Sequence, residues 1–374
     1  MNSIPALLAA SLAAVSLSAQ STNQALTLVN GVDGFLEIPY SAQLVPQSGM
    51  TFEAWITYVD STIGSGWRFP TLCRQNITPQ AEAYFIRIEA GNTNALVLRF
   101  KVVTTGGQVA VAWPFSPGQL SVWTHVAATY DGQSAELFVN GVSVASAPGT
   151  GQPITDRGGV LRIGKGDDSG GPIEVWNGNI DEVRLWPFAR TAAEIAASSA
   201  QGISGLTGHV STWNLDGAGT DSSANQHATA QGSVAYVAGA PLTVIPSPPG
   251  VLPTGASAAG CHGTIEQALT CLPQSGNAAF GVAAHRVGGG VAGVALFGLP
   301  RATPLQVLGI SLYVEPTVSV GLTATAGPLG AARVGLAIPS IATGASIASQ
   351  FVFLDPCGPS GLTASNALAI FVIP

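Results

Sequence analysis

The chain has 374 residues, among them 46 Gly and 25 Pro, with only 9% charged residues and a formal net charge of −7. That length suffices for two or three domains with their own cores, and the turn-rich composition, with few long apolar helical patterns, favours an all-β protein of many short strands. The acidic balance offers no basic stripe to neutralise phosphates, which argues against a nucleic-acid partner.

Residues 1–19, in MNSIPALLAASLAAVSLSAQS, carry an apolar stretch from Pro5 to Leu17 and then small residues, the pattern of a secretory signal peptide. No other segment reaches the roughly 18 to 20 uncharged apolar residues of a membrane span. The expectation is an exported protein, secreted or at the cell surface, without a membrane span. From residue 20 to 243 period-2 segments recur. TFEAWITYV places Phe52, Ala54, Ile56 and Tyr58 on one face, and AYFIRIEAGNTNALVLRFKVV gives two strands around a Gly/Asn loop. Between them DSTIGSGWRFPTLCRQN reads as a loop, with Trp67 and Arg68 in a Gly/Ser-rich excursion and Arg74 and Asn76 after it. Sugar sites combine an aromatic platform with a few polar groups on loops at a rigid rim, so these four residues are the candidate ligand contacts.

AELFVNGVSVA predicts a hairpin turning at Asn140-Gly141, where both residues must accept positive φ. In GNIDEVRLW strict alternation puts Asp181 on the core face with Val183 and Leu185, and Glu182 on the other face with Arg184. Leaving a buried carboxylate unpaired costs roughly several kcal/mol, so Asp181 needs compensation; turn N–H groups are one source. FARTAAEIAASSA predicts one short helix, with Thr191 as N-cap and Glu194 completing a capping box. The Pro-rich stretch 244–255 reads as a semi-rigid linker. All seven tryptophans precede it, and beyond it the charged side chains thin to six, so residues 256–374 read as a second, small β-rich domain of unknown role. Cys261 with Cys271 is the nearest disulfide candidate, Cys261 with Cys357 the alternative, and the spacing around Cys261 and His262 fits no common zinc pattern.

The order LTLVNGVDGFLEIP, MTFEAWI, WTHVAATYDGQSAELFVNGV, LRIGKGDDSGGPIEVWNGNIDEVRLWPFARTAAEI resembles the laminin G-like jelly roll of the concanavalin A-like lectin and glucanase superfamily, in its bacterial form, over about residues 22 to 240. The resemblance implies a jelly-roll β-sandwich. It also implies a structural calcium at Asp181, with oxygens near Asn30, Gly31 and Asp33, because calcium takes 6 to 8 hard oxygen ligands by the usual coordination rules. GKGDDSGG resembles the calcium loop of pentraxins, with Asp167 and Asp168 at matching positions and Gly166 departing from the pattern. Glycosidases of this fold carry Glu-x-Asp-x-x-Glu on one strand; that pattern is absent, as are Gly-x-Ser-x-Gly and His-Glu-x-x-His. The expectation is therefore an exported binding module without catalytic residues, recognising carbohydrate or another extracellular ligand. Its alternatives are an adhesive envelope or matrix protein that binds proteins and, ranked behind it, a polysaccharide-cleaving enzyme.

Overall fold

The computed structural model describes residues 23–374 apart from residue 30 and the segments 60–68, 79–80, 91–95, 155–157, 167–173, 204–210, 224–225 and 245–249. The expected signal peptide, residues 1–19, lies outside the described residues.

Two antiparallel sheets face each other in a jelly-roll sandwich. The eight-stranded sheet runs Val142–Pro148, Ser134–Val139, Thr124–Tyr130, Met50–Ile56, Gly178–Trp186, Gln24–Leu28, Ala235–Ala238, with Ser211–Trp213 paired beside Gly178–Trp186. The seven-stranded sheet runs Thr229–Gly232, Gly34–Ile38, Leu161–Ile163, Thr71–Thr78, Ala81–Ala90, Leu96–Thr104, Gly107–Phe115. Alternation explains the core between them: Phe52, Ala54 and Ile56 from one sheet meet Ile86, Ile88, Leu98 and Phe100 from the other. The hairpin forms as expected, with Asn140 at φ 49° and Gly141 at φ 76°.

One alternation fails. Asp181 pairs with Trp55 but Arg184 pairs with Glu53, so the strand Gly178–Trp186 carries one extra residue, a β-bulge at Glu182, whose φ is 48°. Directly paired residues share a face, so Asp181 and Arg184 both leave the core side, while Ile180, Val183 and Leu185 keep it. The core-facing reading of Asp181 is thus corrected.

The helix Ala192–Ser198 has the expected capping box: Thr191 Oγ1 accepts from Glu194 N at 3.3 Å, and Glu194 Oε2 accepts from Thr191 N at 2.7 Å. It packs Ile195 against Ala127 and Phe138 on the outer face of the eight-stranded sheet.

The C-terminal module is β-rich, as expected. Its main sheet runs Val251–Thr254, Leu362–Phe371, Ser346–Leu354, Ala292–Gly298, Val320–Thr325, beside a three-stranded sheet of Glu266–Leu269, Gly281–His285 and Ala332–Gly335. Val251–Thr254 therefore belongs to the module and not to a linker. Its Pro253 sits on an edge strand, where a missing N–H removes no ladder bond. The realised disulfide is Cys261–Cys357, closing 96 residues, while Cys73 and Cys271 are buried free thiols.

The modules are not beads on a string. Trp186, Phe188 and Ile203 of the sandwich belong to the apolar cluster of the C-terminal module, packed with Phe280, Phe351 and Leu368 among others. Polar contacts join them too: Arg190 Nε donates to Thr270 O at 3.0 Å, Gln201 Nε2 to Gln274 Oε1 at 2.7 Å, and Arg333 to Ala189 O.

Candidate functional site

The two outer faces of the sandwich have opposite fates. On the eight-stranded sheet, Glu53 is 0% exposed and receives Arg190 Nη1 at 2.9 and 3.0 Å and Trp186 Nε1 at 2.7 Å. Burial alone would raise its pKa, but Arg190, His125 and Arg184 around it hold the carboxyl well below the usual range. Glu182, beside Arg184 at 2.8 Å and Asn214 at 2.6 Å, is pushed up by burial despite those partners. The helix and the C-terminal module cover this network, so its charges serve cohesion.

Asp181 lies on the same side, and its compensation is visible. Oδ1 accepts from Glu182 N at 2.8 Å and Oδ2 from Ala240 N at 2.8 Å, with Asn23 Nδ2 at 3.4 Å. A Cβ at Gly239 would sit 2.7 Å from Asp181 Oδ2, so glycine permits this close approach. Burial, reinforced by the charge of Glu182, pushes Asp181 up to about 7 against the pull of these N–H groups. Asp33 sits past the Gly178 end of that strand and pairs with Lys165 Nζ at 2.6 Å. N–H donors on one carboxylate and an ammonium on the other do not fit a calcium ion shared by Asp181 and Asp33. Among the described residues, the one cluster of three metal-capable side chains is Cys261, Asp355 and Cys357, whose thiols are joined as the disulfide.

Among the described residues, the helix and the C-terminal module pack on the eight-stranded sheet, and the outer face of the seven-stranded sheet carries Arg74, Arg87, Arg99, Lys101, Arg162 and Lys165 with Glu37, Glu82, Glu89 and Asp33 as ion-pair partners. Glu89 sits between Arg87 Nε at 2.7 Å and Arg99 Nε at 2.6 Å. Glu82 is shared by Lys101 and, at 3.7 Å, Arg74; burial would raise its pKa, but Lys101 and Arg74 bring it down. Arg162 meets Glu37 at 3.0 Å. Aromatic rings lie under these cations: Arg87 is 4.0 Å from the Phe85 ring centre and 4.5 Å from that of Phe69, Lys101 is 4.8 Å from Phe85, and Arg162 is 5.2 Å from Phe35. Stacking holds the cationic heads in place.

Of the four expected ligand contacts, Arg74 stands on this face, but within the strand Thr71–Thr78 rather than on a loop, and it donates to Gly166 O. Asn76 is in the same strand and 2% exposed, so it is corrected from a loop contact to a buried strand residue. The short run TLCRQN extends the sheet because both neighbouring strands pair with it. Trp67, Arg68, Asp167 and Asp168 lie outside the described residues; their neighbours Phe69 and Gly166 contact Arg87 and Arg74 at this face. The sequence reading missed Arg87, Glu89, Arg99 and Lys101, although their alternation with Ile86, Ile88, Leu98 and Phe100 is plain.

A second opening, about 370 Å³, lies between the modules, with Asp131, Glu136 and Arg333 in its wall. Its acids are already engaged, Asp131 by the N–H groups of Gln133 and Ser134 and Glu136 by Ser143.

The laminin G family model described as the concanavalin A-like lectin/glucanases superfamily matches residues 30–196. Pappalysin-1 of Mus musculus is 36% identical over 88 residues, and that of Homo sapiens 38% identical over 86. These stretches make up 22% of this chain and 5% of each relative, so the match spans about a twentieth of the relatives' length. Among solved structures, a heptameric SAP-like pentraxin from Limulus polyphemus is similar, at 16% identity and a TM-score of 0.45, over 60% of this chain and 100% of its own. A Bacteroides ovatus protein provisionally titled as carbohydrate binding is similar at 20% identity and a TM-score of 0.43, over 60% of this chain and 62% of its own.

Proposed function

We infer that the chain is an exported, non-catalytic binding protein whose sandwich takes a carbohydrate, or another extracellular ligand, on the outer face of its seven-stranded sheet. The observation that carries this reading is coverage. One outer face is closed by the helix and the C-terminal module, while among the described residues neither of them packs on the other, which presents fixed, partly exposed polar heads over aromatic rings. A rigid face with convergent donors suits hydroxyl-rich ligands.

The absence of catalysis in this proposal is supported by the acids. A glycosidase needs a carboxyl kept protonated as general acid. On the open face Glu82 is held down by Lys101 and Arg74, whereas Asp181 and Glu182, which are pushed up, are buried on the opposite side of the sandwich. Export is supported by the disulfide, which suits an oxidising compartment. For calcium, the donors around Asp181 and Asp33 leave Asp167 and Asp168 as its proposed ligands; a calcium-dependent rise in melting temperature, absent in Asp167→Asn/Asp168→Asn, tests it. The adhesive alternative draws on Leu299, Leu308, Val318, Val320 and Ile341, all exposed on the C-terminal module.

Affinity electrophoresis of the full chain in gels containing different polysaccharides, each with calcium and with chelator, tests the reading. Retardation on at least one gel supports it. New reducing ends would replace it with a hydrolytic function, and no retardation on any gel would move the ligand to the protein class.

A further inference from the structure

Among the described residues the three largest sheets have two end strands each, and five of these six are guarded. Val142–Pro148 carries a bulge between Ser143 and Ala145 and ends on proline, Gly107–Phe115 carries Pro114 and Val251–Thr254 carries Pro253, while Thr229–Gly232 and Ala235–Ala238 are only 4 residues long. Bulges, prolines and short length are the usual means of keeping a sheet edge from pairing with another chain. The sixth end strand, Val320–Thr325 of the C-terminal module, has none of them. From Thr317 to Gly327 there is neither a proline nor a charged residue. Its inner side pairs with Ala292–Gly298, and just past its end Ala326 N donates to Val291 O on that side at 2.9 Å. Successive residues of an antiparallel ladder turn alternately toward and away from the partner strand, so Gly321, Thr323 and Thr325 aim their N–H and C=O groups outward. Among the described residues no loop or side chain takes these groups up. At the Val320 end of the same edge Leu299, Val318 and Val320 are 60%, 59% and 62% exposed.

We propose that this edge pairs with the same edge of a second copy of the chain, antiparallel about a two-fold axis, so that the two five-stranded sheets join into one. An antiparallel edge is complementary to itself under such an axis: the outward residues of one copy meet those of the other, and each N–H finds a C=O. Charge favours the same occupant. Residues 256–374 hold three acids, Glu266, Glu315 and Asp355, and three arginines, Arg286, Arg301 and Arg333, so the net charge of −7 lies wholly in the rest of the chain. Two neutral modules meet without repulsion, whereas two acidic sandwiches repel each other, which directs the contact to this module. The exposed Leu299, Val318 and Val320 add apolar area beside the joint. The pairing does not depend on the ligand reading; together with it, a dimer carries two ligand faces and gains avidity on a polymer.

The test is sedimentation velocity of the full chain from low to high micromolar concentration. The expected result is a concentration-dependent rise from monomer to dimer mass, with the dissociation constant raised about tenfold or more in Thr323→Pro, which removes one outward N–H from each copy and no bond to Ala292–Gly298. Thr323→Lys keeps that N–H but sets like charges near each other across the joint, and Thr323→Glu does the same with the opposite sign. Each alone should dissociate, and an equimolar mixture of the two should recover dimer. Circular dichroism and melting of each variant separate a lost contact from a lost fold, and the exposed position of Thr323 keeps the two charge variants informative should the proline variant misfold. Monomer mass at every concentration overturns the proposal. A dimer that survives all three variants overturns it too, since its contact would lie elsewhere, and failure of the mixture to recover dimer overturns the two-fold strand pairing.

Discussion

The two outer faces of the sandwich carry the same residue types, arginine and glutamate, in opposite settings. On the eight-stranded sheet Glu53, Arg184 and Arg190 are desolvated under the helix and the C-terminal module. On the seven-stranded sheet Glu82, Glu89, Arg87 and Arg99 keep part of their water. Breaking a buried pair strands a charge at a cost of about 3–5 kcal/mol, whereas an exposed pair contributes about 0–1 kcal/mol. The covered face is therefore committed to cohesion between modules, and the other face is the one proposed to exchange partners with a ligand.

The largest effect should follow from breaking the covered network. Glu53→Gln leaves Arg190 without its counterion and should lower stability by about 3–5 kcal/mol in denaturant unfolding, with both modules lost in one transition because they share a core. Two separated transitions would show the cover to be dispensable. The next effect is a pH dependence. The folded pKa of Asp181 is raised to about 7, so the native state holds its proton where the unfolded chain has released it. This contribution is complete below the ordinary carboxylate range, near pH 4, and is lost as pH rises to about 7. Wild type should thus lose about 2–4 kcal/mol relative to Asp181→Asn over that window, at roughly 1.4 kcal/mol per pKa unit. Parallel melting curves from pH 4 to 8 would remove the assigned burial. Smaller still, Thr191→Ala should cost about 1 kcal/mol through the lost cap on the covering helix, read by thermal melting.

What was legible in the sequence was local. The hairpin at Asn140-Gly141, the capping box from Thr191 to Glu194 and the strand-rich sandwich each depend on neighbours within a few residues. The place of Asp181 was not legible, because a bulge on a non-glycine residue, Glu182 at positive φ, leaves no mark in composition. Nor was the pairing of Glu53 with Arg190, 137 residues apart, since only the fold brings them together. The candidate site was half legible. Alternating charges in the strands Ala81–Ala90 and Leu96–Thr104 declare a polar face, but the opposition of Arg87 to Arg99 depends on register, which the Gly/Asn loop between them does not specify.

The smallest stability effect is also the sharpest probe of the comparison. Arg99→Gln removes one cation from the open face, loosening its contact with Glu89 but also relieving its repulsion with Arg87. Because the site is partly hydrated, the two changes should nearly cancel, leaving unfolding free energy within about 0.5 kcal/mol of wild type. Measured beside Glu53→Gln in the same denaturant series, this predicts a large loss on one face and almost none on the other. A loss above about 2 kcal/mol for Arg99→Gln would mean that this network holds the sheet together as the buried one does, and the face would then have little freedom to exchange contacts with a ligand.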